Sequence, residues 1–234
     1  MKGYAKVLGL VAILTLSALA GTAASAEEDV PWDFKADGDY VKYTGALVEG
    51  VKEQMGGDAG TITCQEVIYE GETLEEAAVT STTTLAVKPR KGGCNGGGIP
   101  VEFDTNSCSY LFHAEMATGE TATEGSVDIV CNKAKDDFTL TEKVGGVVKC
   151  TIHVPQQKGL KGVTFTNGVS GGVKDITVDF NLTAVQYTQT AGTGAGACKD
   201  AVDTHNGTIL GNFTLKGDNK AGQPTDIWVE HTKP

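Results

Sequence analysis

Four histidines and six cysteines carry the side chains best suited to ligate metals or to act as bases and nucleophiles. The histidines, His113, His153, His205 and His231, include no HExxH motif or other close zinc pair. The cysteines lack zinc-knuckle spacing; the nearest two, Cys94 and Cys108, have thirteen residues between them. One constellation remains. Asp203, His205 and His231 fall near strand ends, where loops would let them meet as a hydrolytic or metal site. Against this, His205 precedes Asn206-Gly207, a turn dipeptide that sets it at an exposed loop tip. His231 stands close to the last residue, where chains fray. Neither place gives the rigid support that catalysis requires. Ser170 lies in GVSGG, which precedes a strand rather than a helix and is not a nucleophile elbow. Asp175 and Asp179 share one strand face with no third group, whereas glycoside hydrolysis needs two carboxylates across a cleft. No catalytic, metal-binding or cofactor-binding residue is therefore assigned, and no cofactor is implied.

Other charged and polar groups are equally plain. Residues 88–98, KPRKGGCNGGG, read as an irregular loop in which Lys88, Arg90 and Lys91 form the one local basic cluster. The loop suits contact with an anion or glycan, but its simpler reading is a solvated turn pinned by Cys94. It lacks the GK[ST] ending of a phosphate loop. Asp37-Gly38-Asp39 resembles a fragment of a calcium loop, but no acidic residue follows at the required spacing. Asn181, Asn206 and Asn212 match the glycosylation sequon, and each also suits a polar strand or turn position.

The compartment is easier to read. Lys2 and Lys6 precede an apolar run at residues 8–19, and Ala24-Ser25-Ala26 fits a signal cleavage site before Glu27. Residues 1–26 are expected to be a signal peptide, with no integral membrane segment after it. All six cysteines follow it, and an even count in an exported chain argues for three disulfides. Cys94–Cys108 and Cys131–Cys150 would close short turn-rich segments, leaving Cys64–Cys198 as the long bridge. The formal net charge is −11, and removal of the signal takes two lysines away. So acidic a chain does not suit nucleic acid or an anionic membrane.

The elements that would position these residues are strands. In residues 173–187, VKDITVDFNLTAVQY, Ile176, Val178, Phe180, Leu182 and Ala184 alternate with short polar side chains. After Ala184 the phase flips, and Val185 and Tyr187 become the large apolar positions. A one-residue phase change is the mark of a bulge, where a long strand bends and passes on to a second sheet. Alternation also places Cys108, Tyr110 and Phe112 on one face with His113 on the other, and Cys150, Ile152 and Val154 inward with His153 outward. Residues 99–103 and 108–114 read as a hairpin. Residues 155–161 read as a loop, and 73–78 as one helical turn. The expected fold is mainly β, an antiparallel β-sandwich or partly closed barrel, linked by disulfides. The expected organisation is a flexible lead-in at 27–39 and a β-rich domain at 40–234, divisible into two subdomains near 116–125.

Several stretches, among them AGTITC (59–64), LAVKPRKGGC (85–94), NSCSYLFH (106–113), VDIVC (127–131), CTIHVPQQKGLKGVTFTN (150–167) and GTILGNFTLKG (207–217), resemble a group of uncharacterised exported proteins of actinobacterial type. The resemblance implies an extracellular, cysteine-containing β domain and carries no activity or ligand with it. Similar sequences often place a tyrosine where this chain has Arg90 and Lys91. The function expected is a secreted or cell-envelope-associated binding or structural module without catalysis, contacting an envelope or glycan component. The alternative is a secreted hydrolase with a loop-built site at Asp203, His205 and His231.

Overall fold

A computed structural model describes residues 32–38, 40–57, 60–72, 81–82, 84–117, 122–194, 198 and 201–231. The signal expected at 1–26 and the helical turn expected at 73–78 lie outside the described residues. Strand β1 (Trp32–Ala36) comes first, and the chain then makes eight antiparallel passes. In the first, β2 (Lys42–Leu47) leads to β3 (Glu53–Gly57); in the second, β4 (Gly60–Cys64) leads to β5 (Glu66–Glu72). After the short β6 (Ser81–Thr82), β7 (Thr84–Gly92) leads to β8 (Cys94–Gly96), and β9 (Ile99–Asp104) to β10 (Cys108–Ala117). Next, β11 (Ala122–Cys131) leads to β12 (Asp137–Val144), and β13 (Val147–Pro155) to β14 (Gln157–Ser170). Two unbroken strands complete the set, β15 (Val173–Ala191) and β16 (Ala201–Asp218), followed by β17 (Pro224–Thr225) and β18 (Ile227–His231).

The expected antiparallel, disulfide-linked β fold is present, and its ladder closes. One ring runs β16-β2-β5-β7-β10-β11-β14-β15 and returns to β16. A second runs β16-β3-β4-β8-β9-β12-β13-β15 and also returns to β16. The two rings use the same eight passes in the same order. They are two halves of one up-and-down barrel, jointed at a waist where six of the passes break. Walls of sheet face each other across a core, as in a sandwich, without an open edge between them.

Side-chain alternation explains the closure. Along β15 the buried apolar positions are Ile176, Val178, Phe180 and Leu182, then Val185 and Tyr187. The phase changes where the sequence says it should. Ala184 has φ +58°, and the register with β16 shifts between Leu182 and Val185. The bulge carries β15 from one half of the barrel to the other. Apolar residues point inward and polar ones outward, which is the reverse of a barrel whose outer wall faces lipid. Among the described residues, no helix is long and apolar enough to cross a membrane.

Aromatic side chains fill the first half. Phe112 on β10 meets Phe213 on β16, four passes away, with centroids 6.1 Å apart, and Tyr110 meets Phe180 at 6.3 Å. Contacts between strands so far apart in the ring can only be made across its interior. Tyr69 and Phe213 stack at 3.8 Å over Gly45, where a Cβ would stand 2.9 Å from the Phe213 ring. Any larger residue at position 45 would push that stack apart. A small sheet, ordered β18-β1-β6, closes the end of this half. Phe34 packs edge-on against Phe165 at 5.0 Å, and Asn167 exchanges two 2.8 Å hydrogen bonds with the backbone of Val229.

Several expectations need correction. Trp32–Ala36 is a strand with Trp32, Phe34 and Ala36 buried, so the lead-in expected at 27–39 gives the core part of its cap. Residues 116–125 do not divide two subdomains, because β10 and β11 pair from Cys108↔Cys131 to Ala117↔Thr123. The natural division is across the passes, at the waist. Residues 99–114 do not form a hairpin; β9 pairs with β8 and β12, β10 with β7 and β11, and the turn between them crosses the waist. The loop expected at 88–98 is the end of β7 followed by β8. Pro89 is tolerated there because β10 pairs with β7 only through Thr84–Val87, leaving no ladder on that side to lose. The loop expected at 155–161 is largely β14.

All three expected disulfide pairings are replaced. The bridges are Cys64–Cys94, Cys108–Cys131 and Cys150–Cys198, and no cysteine is free. Cys108 and Cys131 are directly opposite in the β10–β11 ladder, and Cys64 and Cys94 continue the register of Thr63↔Asn95. Their Cα atoms are 3.9 Å apart in both cases. Cross-strand register, not distance along the chain, decides who pairs. These two bridges clip the waist.

The bulge can be tested by itself, because Ala184 is exposed and substitution there disturbs no packing. An L-residue in the left-handed region costs about 1–2 kcal/mol, and β-branching makes it worse. Ala184→Gly is expected to keep or slightly raise stability, whereas Ala184→Val loses about 1–2 kcal/mol. Urea unfolding of the three proteins checks this, and a valine variant as stable as the glycine variant would refute the bulge.

Candidate ligand-binding lumen

The second half of the barrel has as many strands as the first but smaller contents. An eight-stranded barrel is just wide enough for large side chains to fill, or to hold one small ligand where they do not. Here the inward positions carry Ile62, Leu140, Ile152, Val154, Val185 and Ile209 instead of a set of aromatic rings. The result is a cavity of about 460 Å³, lined from all eight strands of this half. It is mostly apolar, and its glycines keep the wall thin. Tyr187 is the one aromatic residue in the lining, and its ring stacks on His205 with centroids 5.3 Å apart.

Glu142 is the one ionisable acid or base with a charged form at neutral pH in that lining. It follows Phe138 and Leu140 on the inward face of β12. Phe138 packs at the waist against Phe103 and Tyr110, at 5.5 and 5.2 Å. Two residues of strand advance about 6.6 Å, so Glu142 stands roughly 13 Å above the waist, towards the open end. Its carboxylate lies over Gly96: a Cβ there would be 2.7 Å from Oε1. Burial pushes the Glu142 carboxyl above the ordinary glutamate value. Among the described residues no cation and no hydrogen-bond donor faces it.

The floor of the cavity is polar beneath an apolar lid. Met55 lines the lumen, and its sulfur lies 3.8 Å from the Lys91 ammonium. Lys91 is ion-paired with Glu53, and both side chains are wholly buried. Glu53 comes from β3 in the hollow half, Lys91 from β7 in the packed half. Tyr69 donates its hydroxyl to Glu53 Oε2 at 2.9 Å. The ammonium also sits 4.5 Å from the centroid of Phe103. Burial by itself would lower the Lys91 pKa, but Glu53 and Tyr110 more than offset it and hold it above the ordinary value. Burial and the neighbouring Glu53 keep the Tyr69 phenol well above its usual value, and burial pushes Tyr110 up to about 12. Lys91 therefore stays charged and the phenols neutral at physiological pH.

The residues singled out from sequence lie elsewhere. His205 is on β16 opposite Tyr187, half-buried, not at a loop tip. His231 is on β18 opposite Trp32, with an edge contact at 5.7 Å, in the small sheet at the other end. The structure does not bring the two together, and the Asp203 side chain lies outside the described residues. Among the described residues, no group of three or more His, Cys, Asp or Glu is placed to hold a metal. His113 and His153 pair with Asp128 and Asp137, at 3.3 and 3.0 Å, away from the lumen, with Asp128 itself buried. Of the basic cluster, Lys88 donates to the Asn106 carbonyl, Arg90 faces Glu70 at 3.9 Å, and Lys91 is the buried member. Asp175, expected on a wet face, is buried, which raises its pKa, the nearby Lys216 opposing in part.

Sequence reading overlooks Glu142 and Glu53, and it places Lys91 in a solvated turn instead of the interior. A signal existed: each is a charged residue at an inward position of an alternating strand, as in FTLTE and EQM. Comparisons with known family models, with curated proteins and with solved structures find no match.

Breaking a buried ion pair from one side leaves an uncompensated charge, at a cost of about 3–5 kcal/mol. Lys91→Met is expected to destabilise by that amount, and Glu53→Leu to leave Lys91 equally stranded. The double variant recovers most of the loss, because two apolar groups need no partner. Denaturant unfolding of the four proteins gives the coupling directly. Additive losses would show that the two groups do not interact.

Proposed function

We propose that the chain is a binding module that holds one small, largely apolar ligand in the open half of its barrel. The observation that carries this reading is the cavity of about 460 Å³ to which all eight passes contribute. Its volume falls in the range of small-molecule pockets, about 300–1,000 Å³. Its wall is built of hydrogen-bonded strands, so it is formed before the ligand arrives, which keeps the ordering cost of binding low. The closed, capped half is the rigid base on which the open half stands. An exported role follows from the signal-like segment at 1–26 and is supported by three disulfides, bonds that persist in oxidising compartments. Association with the cell envelope is the corresponding proposal for place, with the ligand an apolar component of it. Nothing in the lumen requires chemistry of the ligand, and holding it is the activity.

Titration with a polarity-sensitive apolar dye tests the reading. The folded protein is expected to bind one equivalent with micromolar affinity and to shift the emission blue. Ile152→Trp, which fills the lumen from its wall, is expected to weaken binding at least tenfold, with the far-ultraviolet circular dichroism unchanged. Equal binding by both proteins would place the dye elsewhere and refute the lumen as the site.

A further inference from the structure

We infer that the lumen selects an amphipathic organic cation, an apolar chain ending in a protonated amine, through Glu142. This rests on the reading of the lumen as a ligand site and names the chemical class of its ligand. Three observations converge. First, Glu142 is the one charged group in a mostly apolar lining whose other polar side chains, Thr61, Thr208 and Tyr187, are neutral hydroxyls, so it alone can discriminate by charge. Lys91, beneath the floor, lies behind Met55 and is already neutralised by Glu53.

Second, the carboxylate has no partner among the described residues. Other acids on the barrel do: Glu53 has Lys91 and Tyr69, Glu115 has Lys161 and Ser126, and Glu102 has Lys143. A half-buried carboxylate facing an apolar space pays desolvation with nothing in return, and burial raises its pKa accordingly. A ligand ammonium would supply the missing hydrogen-bond donors and the opposite charge.

Third, the position fits the shape of such a ligand. Register places Glu142 at the next inward position beyond Leu140, on the open side, while Leu140, Ile152, Val154, Val185 and Ile209 lie in the lining with it. A chain inserted towards Met55 would therefore leave its head level with Glu142. Gly96 clears the space beside the carboxylate: with any side chain there, Oε1 would be only 2.7 Å from the new Cβ. Charge-assisted hydrogen bonds formed in such surroundings are worth about 1.5–3 kcal/mol, a preference of tenfold or more over a neutral head of the same size.

Isothermal titration of the folded full chain with decylamine, decanol and decanoate, at physiological ionic strength, tests the inference. Decylamine is expected to bind at least tenfold more tightly than decanol, and decanoate more weakly than either. Glu142→Gln keeps the shape and removes the charge. It is expected to bring the amine and the alcohol within about twofold of each other by weakening the amine alone. An amine no better than the alcohol in the unaltered protein would overturn the inference and leave the lumen reading standing. An amine preference that survives Glu142→Gln would also overturn it, by assigning the preference to the acidic surface. Failure of all three ligands to bind would overturn the lumen reading itself. The comparison of amine with alcohol on the unaltered chain needs no variant, so a folding defect in Glu142→Gln cannot hide the answer.

Discussion

The buried ion pair between Lys91 and Glu53 is the constraint on which the rest of the barrel depends. A charge stripped of water and left alone costs several kcal/mol, so each of these groups can be buried only where the other is. They come from opposite halves of the molecule, β7 and β3, and meet at the waist. There six of the passes break and the register changes between most neighbours, while β15 and β16 run through unbroken, so the ion pair adds a side-chain tie between the halves among the broken passes. Any slip of the first pass against the third would separate the charges. The pair thus fixes how the packed half sits on the hollow one, and Tyr69 and Phe103 occupy the remaining contacts of the two charged groups. The disulfides Cys64–Cys94 and Cys108–Cys131, with Cys64, Cys94 and Cys108 buried, hold the same level.

Below and above that level, the same eight passes give opposite interiors. The difference is side-chain volume. Tyr69, Phe112, Phe165, Phe180 and Phe213 meet across the lower ring and leave it full. Branched aliphatic residues and glycines line the upper ring, reach less far, and leave it open. The ion pair separates the two regimes. It gives the lumen a floor that cannot be filled by sliding an aromatic residue up from below, because that would expose or strand a charge. Close-packed rings occupy one half and open space the other.

Much of the fold was legible because alternation along a strand is a local property. The phase flip at Ala184 could be read directly, and so could the inward faces of Tyr110, Phe112, Ile152 and Val154. What could not be read was anything set by a neighbour far away in sequence. Two of the disulfides, Cys64–Cys94 and Cys108–Cys131, follow the ladder, and no spacing rule reveals that Cys64 lies opposite Cys94. Lys91 looked like part of a solvated loop because Pro89 and the glycines masked a strand, and its partner Glu53 lies in a different pass. His205 looked exposed because Asn206-Gly207 suggested a turn, where pairing with β15 in fact keeps the chain extended. The lumen itself is an absence of volume, visible only once all eight inward faces are assembled.

The most direct test of this account is a crystal structure of the protein under xenon pressure. Xenon enters apolar space that is open or reachable and stays out of close-packed cores. The account requires xenon density in the upper half, among Leu140, Ile152, Val185 and Ile209, above an ordered Lys91–Glu53 contact. It requires none among Tyr69, Phe112 and Phe213. An upper half closed by collapsed strands and empty of xenon, or xenon among the aromatic rings below the ion pair, would contradict it.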